Sequence, residues 1–507
     1  MNKRTYWCLL VIILLVALFF RFYNFPTRLR ISADDARDIM AALGAVKNGT
    51  LPLIGSFSSA GPFVFGPLFY WFLIACYSVV PKVLVAPYIA LIFVDILLVY
   101  IMARIGKIIG GRKLALITGL FSAISTSQLF RSGAMTQHTF VSIATALTIL
   151  FFLLSIKKKK NIYVLLMGVA MGIGISMHYQ AINLLVYGLV IFLIHRLKLF
   201  KIIKSALYLI IGLAIPSLPL LYWDGVYQNW ANITNLFDYL LLGQYRIWVS
   251  NRWLTYAGDF WPNLWAKTIG GEYAVGVAFM IGIALLVLYS LVKRKLKKEI
   301  LWLGIIFAIQ VVLNRYYRGE RFEGYMLYFL PLILIFSAWF VKSLLRLNKW
   351  LGILFLIIVF SFTLYKNVEL MKRQYGYINK IKRINSFLVN KYPGRKFAVY
   401  DFYNWSSTLS QPLSLFFYYD GLSGYDDVYL GVTKGLKFYD ELSPILEVDF
   451  EGEFEIFELN EKIIEPDMWI NVNQDYIYQD MYYWWKERPL TSSFSIIDFL
   501  KEKLRWR

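Results

Sequence analysis

Cysteine and histidine are nearly missing from this chain of 507 residues, which has two cysteines (Cys8, Cys76) and three histidines (His138, His178, His195). Both cysteines lie in apolar stretches, which excludes a disulfide framework and a cysteine-rich zinc site. Three scattered histidines give no ligand-spaced metal cluster. The sequence therefore calls for no metal and no cofactor. Charge is also scarce, at 17% of residues, and acids are fewer than bases, with 32 Asp and Glu against 53 Lys and Arg. Apolar side chains fill the gap. They make up 58% of the chain and give a mean hydropathy of +0.54, above the roughly 45–50% apolar usage of soluble globules.

These apolar residues come in runs of about 17–20, the length a helix needs to cross hydrocarbon while satisfying its own backbone polar groups. The runs predict about 11 spanning helices, near 5–23, 86–106, 113–130, 139–156, 162–179, 181–195, 205–222, 273–292, 300–314, 326–342 and 350–366. The first run, Tyr6–Tyr23, follows Lys3 and Arg4 without a small-residue cleavage site, so it reads as a retained signal anchor. The fold class is mainly α, a polytopic transmembrane helical bundle.

A formal charge of +21 would suit nucleic acid, but its placement argues against that partner. Six short segments hold 22 basic residues: Lys3/Arg4, Arg104–Lys113, Lys157–Lys160, Arg196–Lys204, Lys293–Lys298 and Lys342–Lys349. Lys/Arg excess in short loops marks the cytoplasmic side. These charges set orientation and meet anionic lipid headgroups. The N-terminus is then cytoplasmic and the C-terminus extracytoplasmic, in a multi-pass protein of the cell membrane.

Residues 66–80 are apolar enough to cross, yet a crossing there would move 20 of those basic residues outside. Pro62, Pro67 and Pro81 bracket the stretch, and its Tyr and Trp content suits an interfacial or re-entrant helix. The membrane module is thus 1–366, with a first outer loop at 24–85 and a second at 223–272. Residues 367–507 alternate aromatic and polar side chains at nearly balanced charge. They read as a small soluble C-terminal domain, α/β or mostly β, on the outer side.

The first outer loop carries the most chemistry. In Ser32-Ala-Asp-Asp-Ala-Arg-Asp38, Ser32 or Asp34 suits a helix cap, and acids in the first turn suit the helix dipole. On its own this is a capped amphipathic helix lying on the membrane. Its position offers more, because a carboxylate at the headgroup plane is placed to take a proton from an incoming hydroxyl. Arg37 is placed to hold a phosphate or orient the carboxylate.

The pair Asp34-Asp35 with Arg37, then Pro52-Leu-Ile-Gly55 and Gly66-Pro-Leu-Phe-Tyr-Trp71, resembles the glycosyltransferase-C superfamily. It is most similar to the bacterial and archaeal relatives of protein O-mannosyltransferases and lipid A aminoarabinose transferases, the family 39 type. The resemblance covers roughly 5–365, and the second acid is Asp where that family alternates Asp and Glu. It implies an inverting sugar transfer from a polyprenyl-phosphate-linked donor to a hydroxyl of a lipid, glycan or protein acceptor on the outer face. It also implies that Asp34 is the catalytic base, with Asp35 as its rival.

Arg37 and three arginines in 314–325 (Arg315, Arg318 and Arg321) are candidate donor-phosphate ligands. Outer-face arginines run against the positive-inside trend, and a guanidinium matches phosphate oxygens bidentately. Fixed cations of this kind stabilise a leaving phosphate without a divalent metal. His138, His178, Tyr179 and Gln180, at helix ends on the same face, are candidate substrate contacts. Asp95, inside a predicted span, is read as structurally paired. A transporter or lipid flippase is the alternative from another class, but no half-to-half repeat is visible. A surface-polysaccharide polymerase or ligase would also use lipid-linked sugars.

Overall fold

The computed structural model describes residues 1–59, 61–81, 83–194, 199–240, 252–317, 321, 323–372, 377–402, 407–424, 427–434, 444–450, 453–459, 469–486 and 490. The chain opens with α1 (Lys3–Phe22), capped by the Asn2 side chain, which accepts from the Thr5 N–H at 2.7 Å. The first loop follows with α2 (Phe25–Arg28), α3 (Ala33–Lys47) and α4 (Leu68–Val79). Next come α5 (Ala86–Ile124), α6 (Thr126–Arg131), α7 (Val141–Lys158), α8 (Asn161–Met177), α9 (Leu185–Ile194) and α10 (Leu199–Tyr227). The second loop holds α11 (Ala231–Asp238), α12 (Arg252–Thr255) and α13 (Trp261–Thr268). Four long helices complete the bundle: α14 (Tyr273–Val292), α15 (Lys298–Tyr316), α16 (Leu330–Leu347) and α17 (Lys349–Lys372).

Among the described residues, eight helices are long and apolar enough to cross a membrane, α1, α5, α7, α10 and α14 to α17. Of the 11 spans expected from the sequence, α5 supplies two, 86–106 and 113–130, separated by a non-helical residue. It reverses at Gly111, whose φ of 74° favours a residue without a Cβ. The expected spans at 162–179 and 181–195 appear as α8 and α9, with 17 and 10 residues. At 12 residues, α4 rises about 18 Å, too short for a hydrocarbon core of about 30 Å. This is the stretch expected to be interfacial.

Leu15, Ile210, Leu285 and Leu354 stay exposed on α1, α10, α14 and α17, side chains that hydrocarbon solvates better than water. Inside, Arg21 and Asp95 form a buried ion pair at 3.4 Å between α1 and α5. Arg21 also donates to the carbonyls of Ala17 and Ala123 and to Gln128 Oε1. This network satisfies charges that would otherwise be very costly at membrane depth. Asp95 has the structural role read from the sequence.

The basic segments meet at one end of the bundle. Arg112 donates to the Met1 carbonyl at 2.8 Å, Lys297 to Ile109 at 2.9 Å and Lys342 to Gly110 at 2.7 Å. Helix α5 runs from that end to the first loop, which therefore caps the other end.

The C-terminal domain contains α18 (Tyr377–Lys391), β1 (Phe397–Phe402), α19 (Ser407–Tyr419), β2 (Val428–Lys434), β3 (Leu446–Asp449), β4 (Glu453–Leu459), β5 (Trp469–Asn471) and α20 (Gln474–Lys486). The sheet order is β3-β4-β2-β1-β5. Strands β1 and β2 are parallel, with α19 as their crossover, and the remaining pairs are antiparallel. The domain is therefore α/β. Its short edge strands, of four and three residues, limit the open sheet edge.

This domain shares one apolar core with the first loop. Ile39, Leu43, Tyr70 and Leu73 of α3 and α4 pack in the same cluster as Leu409, Leu413 and Met481 of α19 and α20. Helix α3 does not lie on a membrane as an amphipathic helix would. Residues 38–45 are buried throughout, covered by α4 below and by α19 and α20 above.

Candidate active site

The site is set by how α3 begins. Ser32 is the N-cap, and its Oγ accepts from the Asp35 N–H at 3.3 Å while Asp35 Oδ2 accepts from the Ser32 N–H at 3.0 Å. This capping box satisfies two donors that a helix start leaves open. It also turns the Asp35 side chain inward, where it is 2% exposed and its Oδ1 has no partner. Burial pushes the Asp35 carboxyl up to about 8, against the opposing pull of its bonds to Ser32. The adjacent Asp34 points outward, with 73% of its side chain exposed.

Arg37 lies between two carboxylates. Nη1 meets Asp34 Oδ1 at 2.8 Å, while Nη2 and Nε meet Asp38 Oδ1 at 2.9 and 3.0 Å. Burial alone would disfavour the guanidinium charge, but Asp38, Tyr70 and Asp34 outweigh it and hold the group above its ordinary value. Burial raises the Asp38 carboxyl despite Arg37, and the Tyr70 hydroxyl donates to it at 2.7 Å. Arg37 also lies over the Phe57 ring at 5.4 Å. Phe57 in turn stacks on Trp484 of α20 at 5.0 Å.

Asp34, Arg37 and Asp38 line a cavity of about 820 Å³. Its other walls bring together His138, His178, Tyr179 and Gln180, the helix-end residues singled out from the sequence. His178 begins a short 3-10 turn, and its Nδ1 accepts from the Gln180 N–H at 3.3 Å. Its ring stacks between Phe65 and Tyr325, and burial lowers its pKa to about 4. His178 is therefore a neutral acceptor at neutral pH. Gln180 ties the wall to the loop at 324–327, donating to Gly324 at 3.0 Å and accepting from Leu327 at 3.2 Å. Tyr179 donates to the Val64 carbonyl at 2.6 Å.

The second loop braces the first. Asp224 accepts from the N–H groups of Asn232 and Ile233, which caps α11. Asn232 then accepts from the Val64 N–H at 2.8 Å, and Asn235 donates to Pro62 at 2.7 Å. Gly66 allows the strip 62–66 to sit on the end of α8, since a Cβ there would fall on Ser176.

Arg315 and Arg321 do not line this cavity. Arg315 packs over Trp253 at 3.9 Å and Arg321 over Tyr256 at 4.8 Å. Arg321 donates to the Arg315 and Tyr317 carbonyls, and Arg252 joins them through Tyr317. The cavity wall next to them is Asn314, Tyr316 and Tyr317. Arg318 lies outside the described residues. The sequence reading missed Tyr70, visible in a motif but without a stated task, and Ser407 and Gln411 of α19, which also line the cavity. No local pattern marks the latter two, because they reach the site only through the packing of α19 on α3.

Residues 62–223 match the family model for dolichyl-phosphate-mannose-protein mannosyltransferases. The match takes in Gly66–Trp71, His138 and His178–Gln180 and begins after Asp34 and Asp35. No curated protein sequence matches. Among solved structures, ArnT from Cupriavidus metallidurans in the apo state is similar at a TM-score of 0.61 and 12% identity, covering 92% of this chain and 100% of that one. The same protein bound to undecaprenyl phosphate gives 0.60 at 12% identity over 90% and 99%. The apo oligosaccharyltransferase of Archaeoglobus fulgidus gives 0.54 at 13% identity over 82% of this chain, which spans 64% of that one. At such identities the likeness is one of fold. With the family model it bears out the resemblance to the glycosyltransferase-C superfamily.

Proposed function

We propose that this chain is an inverting glycosyltransferase that moves a sugar from a polyprenyl-phosphate donor to a hydroxyl acceptor, at the end of the bundle away from the basic loops. The observation that carries the reading is the asymmetry of the acidic pair. Asp34 opens into the cavity and Asp35 is consumed by the helix cap, so Asp34 is the base. The Asp34 carboxylate removes the acceptor's hydroxyl proton as that oxygen attacks the anomeric carbon. The bond from that carbon to the phosphate oxygen breaks on the opposite face, and the lipid phosphate leaves with the electron pair. One displacement inverts the configuration.

Arg37, fixed by Asp38 and Tyr70, orients Asp34 through their ion pair. The leaving phosphate needs fixed positive charge. Arg252, Arg315 and Arg321 supply it beside the wall formed by Asn314–Tyr317, where they draw an anionic headgroup toward the cavity. The fold shared with ArnT supports a lipid-phosphate donor. The basic loops support a cytoplasmic N-terminus and an outer-face site.

In membranes, Asp34→Asn is expected to slow sugar transfer by about 10²–10⁴-fold, the usual contribution of a general base, with undecaprenyl phosphate binding unchanged. Full activity in that variant would remove the assignment.

A further inference from the structure

Among the described residues, the C-terminal domain reaches the cavity through one helix. Ser407 and Gln411, one turn apart on α19, form part of the lining. Gln411 is only 8% exposed, and its Oε1 has no hydrogen-bond partner. A buried amide oxygen without a donor is rare in folded proteins and is kept where something else supplies the donor. The residue is also held in place from below. Ser410 Oγ donates to Asp401 Oδ2 at 2.6 Å, which fastens the turn before Gln411 to β1.

The surrounding chemistry is neutral. Among the described lining residues, the charges are those of Asp34, Arg37 and Asp38, already paired with one another. The remainder is dominated by amides, hydroxyls and aromatic rings. Amides and hydroxyls match the ring hydroxyls of a sugar, and aromatic faces match its C–H faces. An anionic group would find no unpaired cation there.

We infer that α19 is a hydroxyl-recognition subsite in which the Gln411 amide and Ser407 Oγ exchange hydrogen bonds with the ring hydroxyls of a neutral sugar. This rests on the glycosyl-transfer reading and gives the C-terminal domain a part in choosing the substrate. The sugar is either the one carried by the donor lipid or one at the end of a glycan acceptor.

The test uses the full chain in lipid nanodiscs with Gln411→Met, which keeps the side-chain volume but loses the amide, and Ser407→Ala. The probes are undecaprenyl phosphate bare or carrying mannose, glucose or galactose, and the methyl glycosides of the same sugars added to lipid-loaded protein. If the donor sugar is held, Gln411→Met weakens a sugar-bearing lipid by about five- to tenfold, roughly one hydrogen bond. Bare lipid then binds as before, which also reports an intact fold. If an acceptor sugar is held, the same loss appears with a methyl glycoside. The subsite is overturned if both variants bind every sugar-bearing probe like the wild type, or if the wild type prefers none of them to bare lipid. Failure of the wild type to bind bare lipid would instead count against the glycosyl-transfer reading itself.

Discussion

The side chains of Asp34 and Asp35 leave neighbouring positions of one helix turn, about 100° apart around its axis. One therefore faces the cavity while the other folds back onto Ser32. The sequence left the cap open between Ser32 and Asp34; it is the pairing of Ser32 with Asp35 that separates the two acids. The burial that pushes Asp35 up to about 8 was not legible either, because it comes from packing. Asp35 is thus held more protonated in the folded chain than in the unfolded one, where its ordinary value is 3.8. Stability from that shift is complete below about pH 4 and is lost as pH rises toward about 8. Asp35→Asn is expected to flatten this part of the melting-temperature profile in detergent and to be more stable than the wild type at pH 8.5. It should also keep most transfer activity. An unchanged slope would mean that Asp35 is ionised throughout.

Between residue and bundle, the elements divide by how much of their information is local. Long apolar runs made the membrane helices visible, since a span is set by length and hydropathy alone. The reversal at Gly111 falls inside the basic loop expected between the spans 86–106 and 113–130. The motif Gly66–Trp71 was visible as a pattern, but its reasons are tertiary: Gly66 lets the strip meet Ser176, and Tyr70 donates to Asp38. Gly66→Ala is expected to cost about 1–3 kcal/mol through overpacking. The loss should read as a lower melting temperature together with reduced transfer, since the strip 62–66 carries Tyr179 and Asn232 as well. An unshifted melting temperature would show that the contact with Ser176 yields easily.

At the scale of the molecule, the basic loops at one end and the cavity at the other give the chain a direction. With Cys8 and Cys76 replaced by serine, a cysteine at Lys391 should react with an impermeant maleimide on intact cells. A cysteine at Lys158 should react only after permeabilisation. The reverse pattern would invert the topology. The sequence supported this polarity well, but it presented residues 367–507 as a separate soluble unit. The shared core shows why that division was too clean: α19 and α20 bury apolar faces against α3 that no neighbouring residue in the chain would have covered.

That docking also bears on biosynthesis. Asp34 leaves the ribosome well before α19 and α20, yet the cavity around it lacks a wall until residue 411 has folded, and Phe57, the ring against Arg37, lacks its stacking partner until Trp484 has. The last membrane helix ends at Lys372, before Ser407, Gln411 and Trp484 have been made. A chain ending at Lys372 would keep the membrane helices and lack Ser407 and Gln411 from the cavity wall. Docking of the C-terminal domain onto α3 is thus the late step that completes the cavity wall.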